Sequence, residues 1–222
     1  MLHSIFEHGI RLGIKEVNPA RGVRKAASNV RDRRLSIEEI KRFGLALFQL
    51  KEENENPTGL AAIRFLALTG FRRNEALLLE NSWIDDDYRS IKFPDTKTGK
   101  QTRIIGQAAA QEIILQLKRS RSNYVFPADF GDGSFVGLPR ILSRVLKRAR
   151  VAGVCLHTLR HTYASLAAEM GFTELTIAGL LGHASRGVTQ RYIHIDEALV
   201  LAANKVSARM RQLLDQRQDK ET

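Results

Sequence analysis

Cysteine is nearly absent from this 222-residue chain. Cys155 stands alone, which excludes an intramolecular disulfide and an all-cysteine zinc site and suits a reducing compartment. Long apolar runs are missing too: no stretch approaches the roughly 20 residues that cross a bilayer, and the N-terminus has no signal-peptide core. The expected setting is therefore a soluble, cytoplasmic one, with no membrane partner. Acidic residues fall short of basic ones, 24 against 35, and the resulting formal charge of +11 suits a polyanionic partner wherever it gathers on one face. What is present is otherwise ordinary for a globular protein, 43% hydrophobic and 27% charged, too apolar for a disordered chain.

Leu2, Ile5, Phe6, Ile10 and Ile14 recur at helical spacing, predicting a helix over 1–15 that Asn18-Pro19 stops. One helix has nothing to pack on, so residues 1–19 are expected to be the last helix of an upstream domain. Residues 20–34 are rich in arginine and poor in large apolar groups. They read as a linker, either a solvated tether or a strap across a phosphate backbone. Ser36 and Glu39 form a capping box that opens a helix to about Lys51 and with it the main domain, residues 35–195. Residues 60–69 are apolar on nearly every side and predict a buried helix ended by Gly70. Arg72 follows at the mouth of a new helix, a place that suits an anion, whereas Arg73 reads as surface charge.

The period changes over 82–106. Short runs at Trp83-Ile84, Tyr88–Phe93 and Thr102–Ile105 predict a small three-stranded antiparallel sheet with Lys97 and Lys100 in its second turn. Helices resume over 107–119 and 139–150. The second buries Ile141, Leu142, Val145, Leu146 and Ala149 and sets Arg140, Arg144, Lys147 and Arg148 outward, as a solvated face or as a DNA-backbone contact. A further helix begins at His157-Thr158, turns Leu159, Tyr163, Leu166, Ala167 and Met170 inward, and stops at Gly171. Thr173 caps a shorter helix that Gly182 ends, so that His183 emerges at a turn. A C-terminal helix over 196–215 and a charged tail to residue 222 complete an α+β, mostly helical reading.

The polar residues left over have a common chemical use. A tyrosine hydroxyl has a pKa near 10, so about one part in a thousand is ionised at pH 7, and attack on a phosphodiester needs positive charge or a base beside it. Arginines stabilise the non-bridging oxygens without titrating, a lysine can protonate the departing 5′-oxygen, and histidines can hydrogen-bond the phosphate or take the tyrosine proton. The chain offers Arg72, Lys97, His157, Arg160, His183 and Tyr192 in that order and lacks a carboxylate cluster for two metal ions.

These residues sit in boxes that resemble the tyrosine recombinase (phage integrase) family. TGFRRNEALLL resembles its first arginine box and places that arginine on Arg72. KTGK resembles the hairpin that carries its lysine, on Lys97 ahead of Lys100. HTLRHTYAS, LLGH and TQRYIH supply His157 with Arg160, His183 and Tyr192. Phe71 replaces a common leucine and Thr158 a common aspartate, neither at a catalytic position. The resemblance covers roughly residues 1–210 and makes 1–19 the tail of a truncated core-binding domain and 35–195 the catalytic domain.

It implies site-specific recombination of double-stranded DNA without metal, ATP or other cofactor. Tyr192 attacks to give a 3′-phosphotyrosine, Lys97 protonates the leaving 5′-oxygen, and Arg72, Arg160, His157 and His183 stabilise the transition state. It also implies a synaptic tetramer in which a segment such as 196–215 docks on a neighbour, and nucleoid association on DNA. Glu75 is expected to support Arg72, and His161 and His194 to pack or face solvent. Two other readings stay open: a helix-turn-helix DNA reader built on ASLAAEMGFTELTIAGLLG, and a zinc site on His157 and His161, which has no convincing third ligand.

Overall fold

Hydrogen-bond demands at helix ends set most element borders in this computed structural model, which describes residues 2–23, 33–94, 101–182 and 195–216. The chain divides into two units, Met1–Asp32 and Arg33–Thr222. In the first, helix α1 (Leu2–Arg11) ends sooner than its apolar spacing predicts. Gly13 takes φ +70° and the Ile14 N–H returns to the Gly9 carbonyl, so a glycine, not Asn18-Pro19, stops it. Asn18 is instead a buried clip, its amide donating to the His3 carbonyl and to Glu7 Oε1 at 3.1 and 2.7 Å.

The second unit opens on α2 (Ile37–Glu52), whose capping box forms as expected: Ser36 takes the Glu39 N–H and Glu39 takes the Ser36 N–H. Glu39 also holds Arg33 at 2.5 Å, Arg34 pairs with Glu169, and the Leu35 N–H donates to Thr162 Oγ1 at 2.9 Å. The last two arginines of the expected linker are thus anchors onto the unit that follows. Helix α3 (Pro57–Thr69) is buried almost throughout and ends at left-handed Gly70, where a Cβ would press on the Tyr163 ring at 2.9 Å. After the five-residue α4 (Arg73–Leu77) come β1 (Ser90–Phe93) and β2 (Gln101–Ile104), antiparallel, with Ile91 opposite Arg103.

The expected third strand does not form among the described residues. Asn81–Trp83 is a 3-10 turn, and only Ile84 bridges to Ile91. The Trp83 and Ile84 amides are spent on that turn, and Asp85 Oδ1 takes the Arg89 and Ser90 N–H groups, so the run has few donors left for a ladder.

Helices α5 (Gln107–Arg119), α6 (Leu138–Ala149), α7 (Leu156–Glu169), α8 (Glu174–Leu181) and α9 (Ile195–Asp215) complete the unit. On the outer face of α6, Arg144 pairs with Glu55 and Arg148 with Glu53, tying the helix to the segment after α2. Met170, expected inward on α7, is its C-cap and 37% exposed. The α9 segment, which the resemblance expects on a neighbouring copy, seats here on its own chain against α2, α3, α5, α7 and α8. Glycines permit that seat: a Cβ on Gly44 would stand 1.9 Å from the Leu214 carbonyl oxygen, and one on Gly106 2.3 Å from that of Ala203.

Candidate active site

Two helix ends leave carbonyls without intrahelical partners, and one arginine closes both. From α7, Arg160 donates Nη1 to the Gly70 carbonyl at 2.8 Å, at the end of α3, and Nη2 to the Leu181 carbonyl at 2.9 Å, at the end of α8. It is only 4% exposed. Helix C-termini carry partial negative charge, so this is a favourable seat for a buried guanidinium. Burial and then the nearby Arg72 bring its pKa down to about 10, which leaves it charged at neutral pH.

Arg72 stands just before α4, about half exposed. Glu75 grips it twice, Oε2 accepting its backbone N–H at 2.9 Å and Oε1 its guanidinium at 2.6 Å. The supporting role expected of Glu75 is met by these bonds. Burial raises the Glu75 carboxyl, but Arg103, the Arg72 N–H and the Arg72 guanidinium outweigh it and hold the pKa below the usual carboxylate range. Glu75 therefore stays ionised and orients Arg72 without covering it.

His157 lies in the first turn of α7, its ring edge-on to that of His161 with centroids 4.6 Å apart. Partial burial, then His161, Arg160 and Arg72, lower its pKa, so the imidazole is neutral at pH 7, able to accept or to donate a proton. Among the described residues no group of three His, Cys, Asp or Glu side chains gathers in metal-binding geometry, so the zinc reading gains no third ligand. A groove of about 740 Å³ runs past Arg72 and His157, floored by Phe71, Leu142, Leu146 and Leu156.

The structure thus brings Arg72, Arg160 and His157 together; Lys97, His183 and Tyr192 lie outside the described residues. Tyr163, the tyrosine nearest this cluster in sequence, is fully buried and its hydroxyl is pushed up, so it stays protonated. One charged residue escaped the sequence reading. Arg103 on β2 is completely buried, donating to Glu75 Oε2 at 3.2 Å and to the Leu180 carbonyl at 2.6 Å, with its guanidinium 4.3 Å from the Phe71 ring centre. The signal was its register: on a strand it shares a side with Ile105, which is buried.

The Phage integrase family model matches residues 33–198. Tyrosine recombinase XerA of Saccharolobus solfataricus is 33% identical over 136 residues, 60% of this chain and 44% of that protein. Tyrosine recombinase XerC of Erythrobacter litoralis is 28% identical over 203 residues, 86% of this chain and 64% of that one. The chain spans about half the length of the curated relatives it matches. Among solved structures, a lambda integrase fragment dimer bound to a core site superposes with TM-score 0.57 at 19% identity, covering 87% of this chain and 73% of that one. XerH recombinase bound to its difH substrate before cleavage gives 0.59 at 18% identity, with 82% and 58% covered. The solved structures agree in fold, and the family model takes in Arg72, Arg160 and His157 along with most of the second unit: this chain belongs to the phage integrase family.

Proposed function

We propose that the chain carries the catalytic centre of a site-specific DNA recombinase that cuts and rejoins strands through a 3′-phosphotyrosine. The observation that carries the reading is the pair of arginines of unlike exposure, Arg160 buried and held by two carbonyls and Arg72 half exposed and held by Glu75, beside a neutral His157. Such a set binds the non-bridging oxygens of one phosphodiester and strengthens as charge develops on them.

In this reading Tyr192 Oη attacks phosphorus and the P–O5′ bond breaks. Lys97 gives a proton to the departing O5′, and a histidine, His157 or His183, takes the tyrosine proton. Reversal by a partner strand's 5′-hydroxyl rejoins the DNA. One phosphoester replaces another, so the step calls for no ATP or metal. Double-stranded DNA is the substrate, copies assemble into a synaptic tetramer on it, and the setting is the cytoplasm and its nucleoid. The relatives named above as tyrosine recombinases, and the neighbours solved on DNA, support this reading.

The test is a pool of nicked duplexes with randomised arms, incubated with the chain and recovered after denaturant. A covalent adduct that persists in EDTA and vanishes in Tyr192→Phe supports the proposal. An adduct retained by that variant, or lost on chelation, sinks it, and specific binding without any adduct favours the helix-turn-helix reader. Relaxation of supercoiled DNA with no partner site separates a topoisomerase-like activity from exchange.

A further inference from the structure

Three consecutive carbonyls at the end of α8 each receive a donor from elsewhere in the same unit. Leu180 O takes Arg103 Nη2 at 2.6 Å, Leu181 O takes Arg160 Nη2 at 2.9 Å, and Gly182 O takes Gln101 Nε2 at 2.7 Å. The residue after this end is His183. Arg103 does more than fill a cap. Its Nη1 meets Glu75 Oε2 at 3.2 Å, while Oε1 of the same carboxylate holds Arg72 at 2.6 Å. A single buried guanidinium therefore joins the start of α4, where Arg72 stands, to the end of α8, where the Leu181 carbonyl seats Arg160.

Burying a charge is costly, and an apolar side chain of similar volume is often the more stable choice. Arg103 is 0% exposed, and its Nε has no hydrogen-bond partner among the described residues, so its hydrogen bonding is incomplete for a purely structural ion. Its Nη1 and Nη2 go to the carboxylate behind Arg72 and to the carbonyl next to the one that seats Arg160. Gly182 completes the fit, since a Cβ there would stand 2.6 Å from Arg103 Nη1.

We propose that Arg103, assisted by Gln101, is a positioning residue for strand cleavage, setting Arg72 through Glu75 and Arg160 through the α8 carbonyls. This rests on the recombinase reading above. It touches no reacting atom in that scheme, so its loss acts on the rate of chemistry and leaves DNA binding nearly intact.

The experiment uses the whole chain and the best duplex recovered from the randomised pool, in single turnover with protein in excess. Arg103→Gln and Glu75→Gln are each expected to slow adduct formation on the order of 100-fold, with DNA affinity within about threefold of the parent. The double variant is expected to be no slower than about threefold below either single one, because both act through one carboxylate. Misfolding lowers the amplitude of the reaction and leaves its rate constant alone. An Arg103→Gln chain that reacts at the parental rate, shows only an amplitude loss, or loses rate and affinity together overturns the proposal. Should that variant fail to fold, Gln101→Ala removes one partly exposed hydrogen bond and decides the matter: a drop of about tenfold in rate at unchanged affinity supports the role, and a parental rate overturns it. A parental chain that forms no adduct with any duplex overturns the recombinase reading and this role with it. A reactive parent with an equally fast Arg103→Gln overturns this role alone.

Discussion

Arg160 shows what a single residue is asked to do. Its two carbonyl bonds fix the plane of the guanidinium, and an ammonium cannot reproduce that fork. Arg160→Ala is expected to slow adduct formation by about 10²- to 10³-fold, and Arg160→Lys to restore little of it, as read in single turnover at saturating protein. His157 makes a prediction in pH. Its folded pKa lies below the ordinary 6.5 because of burial, His161 and the two arginines, so the unfolded chain binds the proton first as pH falls. Stability contributed by neutral His157 is therefore complete above 6.5 and is lost as pH drops from there through the lower folded value. Melting midpoints between pH 7 and 5 are expected to fall less steeply in His157→Gln than in the parent chain. Equal slopes would contradict the lowered pKa. The boxes name Arg72, His157 and Arg160 one by one, far apart in the chain, and the fold sets the three side by side. No local rule brings Arg72 to Arg160; the Gly70 carbonyl, two residues before Arg72, does so in space.

Helix ends account for most of what was legible among the elements. Gly70, Gly171 and Gly182 stop their helices as read, because each takes a left-handed conformation that frees the chain to turn. The short sheet was overread because a side chain, Asp85, took amides that a third strand would have used, and side-chain competition of that kind leaves no periodic trace. The outward face of α6, a solvated face or a DNA-backbone contact by sequence, is partly paired, because Glu53 and Glu55 reach Arg148 and Arg144 from 95 and 89 residues away. Two predictions belong here. At the start of α2, Glu39 is held down to about 2 by the Arg33 hydrogen bond, opposed by burial and helped by the Ser36 N–H. A lowered carboxylate stabilises the fold above its unfolded value of 4.5, and this is lost as pH falls towards 2. Glu39→Gln is expected to cost about 1–2 kcal/mol at neutral pH by denaturant titration, and to flatten the acid limb between those values. At the seat of α9, Gly44→Ala sets a methyl against a backbone carbonyl that cannot step aside, and a loss of about 2–3 kcal/mol is expected in the same measurement.

At the scale of the whole chain, the excess of positive charge is partly spent internally. Arg33, Arg34, Arg144 and Arg148 all face carboxylates, so fewer cations remain to meet a phosphate backbone than the 35 lysines and arginines suggest. DNA affinity is still expected to fall with salt, by a factor set by the number of phosphates neutralised, and Arg140→Ala with Lys147→Ala to lower the slope of log affinity against log salt by about 2. An unchanged slope would take α6 out of the DNA-facing surface. The α+β, mostly helical class was readable from spacing, and the ordered boxes named candidates of which Arg72, His157 and Arg160 come together. The buried Arg103 is easily missed, since a long polar residue on a short strand reads as outward unless its alternation with Ile105 is followed; its register partner, Ile91, is inside as well. The central claim is chemical, that this cluster activates Tyr192 toward a DNA phosphate, and the most direct measurement is the address of the covalent bond. After adduct formation on the selected duplex, nuclease and protease digestion followed by mass spectrometry is predicted to find a nucleotide remnant linked through its 3′-phosphate to the peptide that contains Tyr192. A remnant on any other residue, or one joined through a 5′-phosphate, would contradict the account.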